Sequence, residues 1–447
     1  MTKQKRGAAV APKVQEAQQR NEMNRRFKTF IAEQSSPEIA EQLTPFEYEL
    51  IYYCKTGGVK IVPTSSSSNH FTKEELEDIK RYIIYLLKDK QCTMFHGKPK
   101  VSLYDILTLG IPFLQFLKIN YEEPDKNTPM LEAVFGPMKV IEKQFQDYII
   151  AFYQVSYTVG AIWSRYERGF CYIYPDKVYT GEHKIRTLAF IASRHNSETR
   201  KFKIDGHSRE AMRVAWFHFN DPIKHLKYHD LTPAELGIEH PQQDKLLQVY
   251  IQKHAIHRIN ERLDSIRQGG ATGSIFLSLE KPETIVIRKN QILIALRYNS
   301  VKVGYFVATV EDDALLLRTF LFITSNGTPE GNLLKQLTGL QMLDKKYLAI
   351  DKLSSFVAKE VTENTQIREI FDKVGCGELF DEKIYNYCEQ EFLSKHTPAV
   401  KLPSYITNDA TEVPRQEEEK PTDYEVKTET LEKVSLKQRT EQAPCEQ

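Results

Sequence analysis

Apolar residues in the first third of the chain recur at the spacing of amphipathic helices. One helix start signal, a threonine with a glutamate three residues later, stands at Thr44-Pro45-Phe46-Glu47, and another begins at Thr72. Residues 134–163 form a further long apolar stretch that is rich in aromatic side chains. We therefore predict a mainly helical region whose apolar stripes serve as packing surface.

From Phe170 the pattern changes to short runs of β-branched and aromatic residues, separated by turn-forming residues. The runs are residues 170–174, 185–193, 201–204 and 212–219. They predict a central antiparallel β region. A loop containing Pro222, Pro233, Gly237 and Pro241 follows this region.

A second series of β-like runs follows Gly269-Gly270. The runs are residues 275–279, 284–288, 292–298, 301–310 and 314–324. Asn299-Ser300 and Glu311-Asp312-Asp313 are short enough to be hairpin turns, so the later strands are predicted to form an antiparallel meander. Thr328 and Pro329 then predict the start of a helix, and two more helices are predicted at residues 346–356 and 382–393.

Together these patterns predict an α+β fold, and the length of 447 residues fits two to four domains. The N-terminal arm is predicted to become helical only when something binds it, and the tail is predicted to be disordered. The predicted regions are a basic arm at 1–34, a helical domain at 35–165, an antiparallel β region with a loop at 166–240, a unit of one helix and an antiparallel sheet at 241–340, helices at 341–396 and an acidic tail at 397–447.

Charge is unevenly distributed, although the formal net charge is only +1. Residues 1–28 hold eight Lys or Arg and two acids, whereas residues 397–447 hold eleven acids and seven Lys or Arg. Such segments are candidate docking sites for protein partners or, for the arm, nucleic acid; the alternative is that they are only solvated.

A third charged segment, residues 184–213, holds eight Lys or Arg against three acids. Its basic residues are either a sheet face that binds phosphates or the solvated side of an antiparallel sheet. The candidates for nucleic-acid binding in this segment are Lys201, Lys203, Arg209 and Arg213.

The cysteines and the apolar stretches bear on location and cofactors. Six scattered cysteines without a CxxC pair favour a reducing, intracellular setting, and a virion is also possible. No secretory signal is expected, and residues 148–163 are shorter than the roughly 20 residues of a membrane span, so no membrane partner is expected. His225 and His229 have helical ligand spacing, but no third ligand is fixed, so neither a metal nor a cofactor is predicted.

The most informative motif is an array of cation-capable residues four apart, His254, Arg258 and Arg262, in a helix-like segment. Residues four apart drift by only about 40° around a helix, so the three side chains would form one stripe suited to a phosphate-rich ligand. The imidazole of His254 could transfer a proton, while the guanidinium groups would hold phosphate oxygens. Tyr298, at the end of a predicted strand, is a second candidate for proton transfer.

The order of a helix with the motif His254-Ala255-x-x-Arg258-x-x-x-Arg262 and then antiparallel strands resembles RelE- and BrnT-type toxin ribonucleases, within the barnase–colicin–RelE group. The resemblance covers residues 245–339, and it implies metal-independent RNA cleavage at a cationic site on a curved sheet. It further implies a late-strand residue in the site, for which Thr319 or Thr324 is the candidate, with Arg318 beside it as a nucleic-acid contact.

An ordinary amphipathic helix explains the same residues. Arg258 can pair with Glu261 across one turn, and Leu247, Ile251, Ala255 and Ile259 can supply a buried face. Three functions therefore stay open: a metal-independent endoribonuclease, a protein that binds nucleic acid without cleaving it, and a structural, assembly or adaptor protein of a virus or mobile element.

Overall fold

The computed structural model describes residues 12–180, 185–204, 206–217, 226–266, 268–288, 291–356, 359–381 and 384. The fold is α+β, as predicted. The chain divides into two compact units. The first comprises Met1–Gly160 and Tyr172–Arg194, and the second comprises Ala161–Cys171 and His195–Gln447.

The first unit is mainly helical and contains two small sheets. One sheet has three strands in the order β1-β5-β4, and the other pairs β2 with β3. The helices are α1 (Pro12–Gln34), α2 (Pro37–Gln42), α3 (Pro45–Tyr53), α4 (Lys73–Asp89), α5 (Leu103–Asp105), α6 (Ile111–Glu122), α7 (Thr128–Phe135) and α8 (Met138–Trp163). The strands are β1 (Thr56–Pro63), β2 (Gln91–Thr93), β3 (Lys100–Ser102), β4 (Phe170–Thr180) and β5 (Ile185–His195); α8, β4 and β5 continue into the second unit.

Helix α1 belongs to the packed body of the first unit. Its residues Phe27, Phe30 and Ile31 are buried, and α1 packs against α2 and α3. Its side-chain cations from residue 20 onward all pair with carboxylates: Arg20 with Glu49, Arg25 with Glu22, Arg26 with Asp105 and Lys28 with Glu41. The prediction of a separate basic arm over residues 1–34 is therefore wrong for this helix, because an apolar face at helical spacing anchors it. Residues 1–11 lie outside the described residues.

Two further predictions for this unit need correction. Residues 56–63 form β1, and this strand runs parallel to β5. Strands β4 and β5 therefore belong mostly with the helices, so the predicted boundary at residue 165 is wrong. The long aromatic helix begins at Met138 rather than near residue 134, because Gly136 ends α7 with a φ of +90°.

Among the helices of the described residues, none has the length and apolar character that crossing a bilayer requires.

The second unit is built on an eight-stranded sheet in the order β12-β13-β14-β15-β11-β7-β6, with β10 paired to β11. Its strands are β6 (Thr199–Ile204), β7 (His207–Arg213), β8 (Ala215–Phe217), β9 (Leu226–Tyr228), β10 (Asp230–Leu231), β11 (Leu247–Gln252), β12 (Thr284–Arg288), β13 (Gln291–Tyr298), β14 (Val301–Glu311) and β15 (Ala314–Phe322). Its helices are α9 (Lys253–Arg262), α10 (Gln268–Glu280), α11 (Pro329–Thr338), α12 (Met342–Tyr347), α13 (Lys359–Thr362) and α14 (Thr365–Lys373).

The antiparallel meander of β12 to β15 is confirmed. Strand β11 joins this meander to the β6–β7 hairpin, because it runs parallel to β15 and antiparallel to β7. The predicted division at residue 240 is therefore wrong, since one sheet contains strands from both sides of it. Helix α9 packs mainly against β15 and also against β11 and β7, while α10 packs against β13.

Residues 275–279 are helical rather than a strand. Ala271, Ile275, Phe276 and Leu279 are buried while Leu277 is exposed, which is the period of a helix face. A run of five residues with four apolar side chains cannot by itself distinguish a strand from one side of a buried helix.

At the C-terminal side of the sheet, Thr328 caps α11 as predicted, and its hydroxyl accepts a hydrogen bond from the Gly331 amide at 2.9 Å. The predicted helix at 346–356 is interrupted, because α12 ends at Tyr347 and Ala349 has a φ of +54°. A short 3₁₀ helix, Leu353–Phe356, follows this turn. The predicted helix at 382–393, except Ile384, and the predicted tail lie outside the described residues.

Candidate nucleic-acid interface

Helix α9 starts at the end of β11, so Lys253 and His254 lie in its first turn. The first turn contains no acidic residue, and the side chain of the N-cap residue Gln252 makes no capping hydrogen bond. Both cation-capable side chains therefore stand where the helix dipole is positive, an arrangement that weakens a helix unless an anion comes close.

His254 is exposed, and the pKa of its imidazole is lowered. Partial desolvation is the largest cause, followed by the positive charges of Arg258, His257 and Arg209, while Glu261 acts in the opposite direction. Arg258 and Arg209 are therefore close enough to the ring to oppose its protonation. The same field that opposes protonation would favour a phosphate group placed beside it.

Arg258 lies one turn further along α9, and its side chain is 36% exposed. Its Nη1 donates to Glu261 Oε2 at 2.9 Å, which is the pairing that the amphipathic-helix explanation anticipates. A partly exposed pair three residues apart is weak, so a phosphate could replace the glutamate as the partner of Arg258.

Arg262 is placed differently, because its side chain is only 10% exposed. It forms an ion pair with the carboxylate of Asp351, whose side chain is 7% exposed, and it also lies 3.7 Å from Glu261 Oε1. The hydroxyl of Thr324 is fully buried and donates to the Ile350 carbonyl oxygen at 2.7 Å. Arg262 and Thr324 thus both bind residues 350–351, and these contacts stabilise the fold.

The other residues expected from the ribonuclease resemblance do not join His254. Tyr298 is buried next to Gly270, where a Cβ atom added to the glycine would lie 3.3 Å from the phenolic oxygen. Thr319 is buried within β15, and Arg318 is half-buried in the same strand. The three residues of the predicted stripe are therefore evenly spaced along α9 but differ in burial. His254 and Arg258 face solvent, and Arg262 does not.

The β6–β7 hairpin divides its basic residues between two faces. Register pairs Lys201 with Glu210 and Lys203 with Ser208, so Lys201, Lys203 and Glu210 share one face. Arg209 and Arg213 lie on the opposite face by alternation. The predicted common phosphate-binding face is therefore wrong for these four residues.

Arg213 is also neutralised. Its guanidinium pairs with Glu198 at 2.9 Å and with Asp230 at 3.1 Å, and it stacks over the Tyr228 ring at 4.5 Å. An arginine with two carboxylate partners and an aromatic neighbour anchors the hairpin to the adjacent strands. It is not placed to bind phosphate.

Five basic residues remain, Lys201 and Lys203 on one face of the hairpin and Lys253, His254 and Arg258 in the first half of α9, and we call them the basic surface. Arg209, on the other face of the hairpin, also acts on His254. Lys253 Nζ lies 2.8 Å from Glu210 Oε2, which brings the start of α9 to the face of the hairpin that carries the lysines. The pKa of Glu210 is lowered by its hydrogen bond to Lys253 and, to a lesser degree, by Lys201. In the described part of the chain, neither Lys201 nor Lys203 forms an ion pair.

Lys253 and Glu210 are not predicted as site residues from the sequence, because β11 is not recognisable there as a separate strand. With Leu247–Gln252 read as part of a helix, the first turn of α9 could not be located. The spacing of the aliphatic residues Leu247, Val249 and Ile251, each two apart in the sequence, is the signal that would have revealed the strand.

The described residues contain no group of three or more His, Cys, Asp or Glu side chains that could hold a metal ion. His225 lies outside the described residues. No protein-family model, curated protein or solved structure matches the chain. The resemblance to RelE-type ribonucleases therefore stays a prediction that rests on one motif and the order of the strands.

Proposed function

We propose that this protein binds the phosphate backbone of RNA or another nucleic acid without cleaving it, through the basic surface of Lys201, Lys203, Lys253, His254 and Arg258. The observation that carries the proposal is the juxtaposition of α9 and β6–β7, which gathers cations from distant parts of the chain. Phosphate contacts of this kind give affinity that does not depend on base sequence.

The buried positions of three predicted catalytic residues favour binding over cleavage. RNA cleavage without a metal needs a base, a charge-stabilising group and an acid around one phosphate. Arg262, Tyr298 and Thr324 are buried, and the first and last of these are bound to residues 350–351. His254 and Arg258 alone can position a phosphate, but they lack the second proton-transfer group.

The test is the salt dependence of RNA binding. Fluorescence anisotropy with a mixed-sequence single-stranded RNA would compare the wild type, Lys201→Gln/Lys203→Gln and a control, Lys139→Gln/Lys143→Gln, which removes two exposed lysines of α8. The first variant should bind more weakly and should reduce the slope of log K against log salt by about 1.4, because each lost contact contributes about 0.7 for a single strand.

Unchanged slopes in all three proteins would contradict the proposal. Incubation of the same RNA in excess chelator separates binding from cleavage. Intact RNA with the wild type is the expected result, whereas cleavage that His254→Ala abolishes would restore the ribonuclease hypothesis.

A second candidate, an assembly or adaptor role, is favoured by an aromatic patch in the first unit. Ile150, Tyr153 and Tyr157 of α8 are 57%, 45% and 41% exposed. Tyr172 stacks on Tyr174 of β4 with ring centroids 5.7 Å apart, and the pKa of Tyr172 is raised by burial and then by Tyr153, Tyr174 and Tyr157.

Clustered exposed tyrosines are typical of protein interfaces, because they bury a large area at a low cost in side-chain entropy. Sedimentation velocity of the wild type and of Tyr153→Ser/Tyr157→Ser tests this role. A concentration-dependent assembly that the variant loses would support it, and a monomer at all concentrations in both proteins would count against self-assembly.

A further inference from the structure

A second anionic candidate ligand for the basic surface belongs to the chain itself. Residues 412–432 contain eight acidic and three basic residues and include the run Glu417-Glu418-Glu419. We propose that this acidic segment docks on the basic surface of the same molecule and competes with external polyanions for it. The inference goes beyond nucleic-acid binding, because the docking needs only the surface and the segment.

Charge complementarity is the first argument. The surface brings Lys201 and Lys203, which form no ion pair in the described part of the chain, next to the positive end of α9. The carboxylates already present, Glu210 and Glu261, pair with Lys253 and Arg258. The cations therefore outnumber their fixed partners, and consecutive glutamates offer carboxylates at a spacing that an extended chain can adapt to two neighbouring lysines.

The length of the connection is the second argument. The 27 residues between Ile384 and Glu412 can span up to about 90 Å when extended. A folded body of about 200 residues has a radius of gyration of only about 16 Å, so the segment can reach any point on the surface of the second unit. A tethered ligand of this kind experiences an effective concentration in the millimolar range, which makes even a weak contact populated.

A zero-length carbodiimide reaction on the full-length protein detects the contact directly, because it joins carboxylates to amines that are already paired. Mass spectrometry should find bonds from residues 412–432 to Lys201, Lys203 and Lys253, in a monomeric product and at low salt only. Predominant bonds to other lysines such as Lys139 and Lys143, or bonds found only in a cross-linked dimer, would overturn the proposal.

Two matched variants exclude a trivial loss of reactive amines. Lys201→Arg/Lys203→Arg keeps the charge, so the bond from the segment to Lys253 should persist. Lys201→Gln/Lys203→Gln removes the charge, so the same bond to Lys253 should weaken. Equal yields at Lys253 in the two variants would show that the charges of this surface do not direct the segment.

The competition is measured with the RNA used above. Glu417→Gln/Glu418→Gln/Glu419→Gln should raise RNA affinity about three- to tenfold, the factor expected when a tethered competitor at about 1 mM effective concentration and with a Kd of about 0.1–0.5 mM is released. The gain should disappear in the Lys201→Gln/Lys203→Gln background. An equal gain in both backgrounds would indicate general repulsion between the segment and RNA and would overturn the competition. If no variant binds RNA, the proposed function fails while the cross-linking result still decides whether the segment docks.

Discussion

Replacement of Arg262 tests the division of the α9 stripe into a structural and an exposed part. Arg262→Ala removes the guanidinium that pairs with Asp351 in a nearly solvent-free site. The second carboxylate oxygen of Asp351, Oδ1, has no hydrogen-bond partner in the described part of the chain. The substitution therefore leaves a buried carboxylate without a compensating charge.

The two arginines of the stripe should differ widely in their contribution to the free energy of unfolding. Breaking a buried ion pair by removing one partner costs about 3–5 kcal/mol, because the remaining charge stays desolvated. Arg258→Ala breaks a partly exposed pair with Glu261 on the same helix, which is worth about 0.3–0.5 kcal/mol. The expected difference is therefore several-fold, although the two residues are one turn apart.

Urea unfolding followed by tryptophan fluorescence measures this difference for the second compact unit of the chain, which contains both arginines. The only two tryptophans, Trp163 and Trp216, both belong to the second unit, so unfolding of the first unit does not dominate the signal. With an m-value of about 3 kcal/mol/M, Arg262→Ala should lower the midpoint by about 1–1.7 M, whereas Arg258→Ala should move it by less than about 0.2 M.

Equal midpoints for the two variants would refute the reasoning, since they would mean that Arg262 is not bound within the fold. Arg262→Met/Asp351→Leu provides the internal control. Replacing both partners of a buried pair by apolar residues is often neutral or stabilising, so the double variant should recover most of the lost stability. A double variant as unstable as Arg262→Ala would show that packing, rather than the unpaired charge, causes the loss.

Three further predictions concern the stability of the second unit. Thr328→Ala should cost about 1–2 kcal/mol of unfolding free energy, because the α11 cap is lost. Gly304→Ala should cost about 3 kcal/mol or more of unfolding free energy, because the new Cβ would lie 2.2 Å from the Leu321 carbonyl oxygen. Gly339→Ala should cost only about 1–2 kcal/mol, the cost of a left-handed backbone, since no atom of the described residues, apart from its chain neighbours, lies within 4 Å of its Cβ position. The urea midpoints from tryptophan fluorescence check all three variants. The folded-state pKa of His254 lies below its ordinary value of 6.5, so the unfolded chain binds the proton more readily. The wild type should therefore lose stability as the pH falls below 6.5, and His254→Gln should lose less, in urea midpoints measured at about pH 7.5 and about pH 5. A wild type and a glutamine variant with the same pH dependence would contradict the last prediction.

The parts of the fold that the sequence predicts correctly depend on residues close together in the chain. The capping threonines Thr44, Thr72 and Thr328 each accept a hydrogen bond from an amide three residues ahead. The hairpin at Asn299-Ser300 has φ angles of +47° and +70°, which suits a tight turn between antiparallel strands. Such signals are complete within a few residues, so no tertiary information is needed to read them.

The parts that the sequence does not predict depend on distant partners. Strand β1 pairs with β5 and β11 pairs with β15, both in parallel, so each strand is completed by a segment far along the chain. The run 275–279 has no local feature that distinguishes a strand from a buried helix face. The burial of Arg262 depends on Asp351, which is 89 residues away.

The spacing of the α9 motif explains why one stripe has two roles. Each step of four residues rotates by about 40°, so two steps carry the stripe about 80° around the helix. His254 is exposed, Arg258 is half-buried and Arg262 is buried, in the order that this rotation demands when Ala255, Ile256 and Ile259 face the core. A charge that turns into the core needs a partner inside the fold, and Asp351 provides it. A charge that stays at the surface, at the positive end of the helix, is stabilised most by an external anion, which places the candidate interface at the start of α9 and not along its whole length.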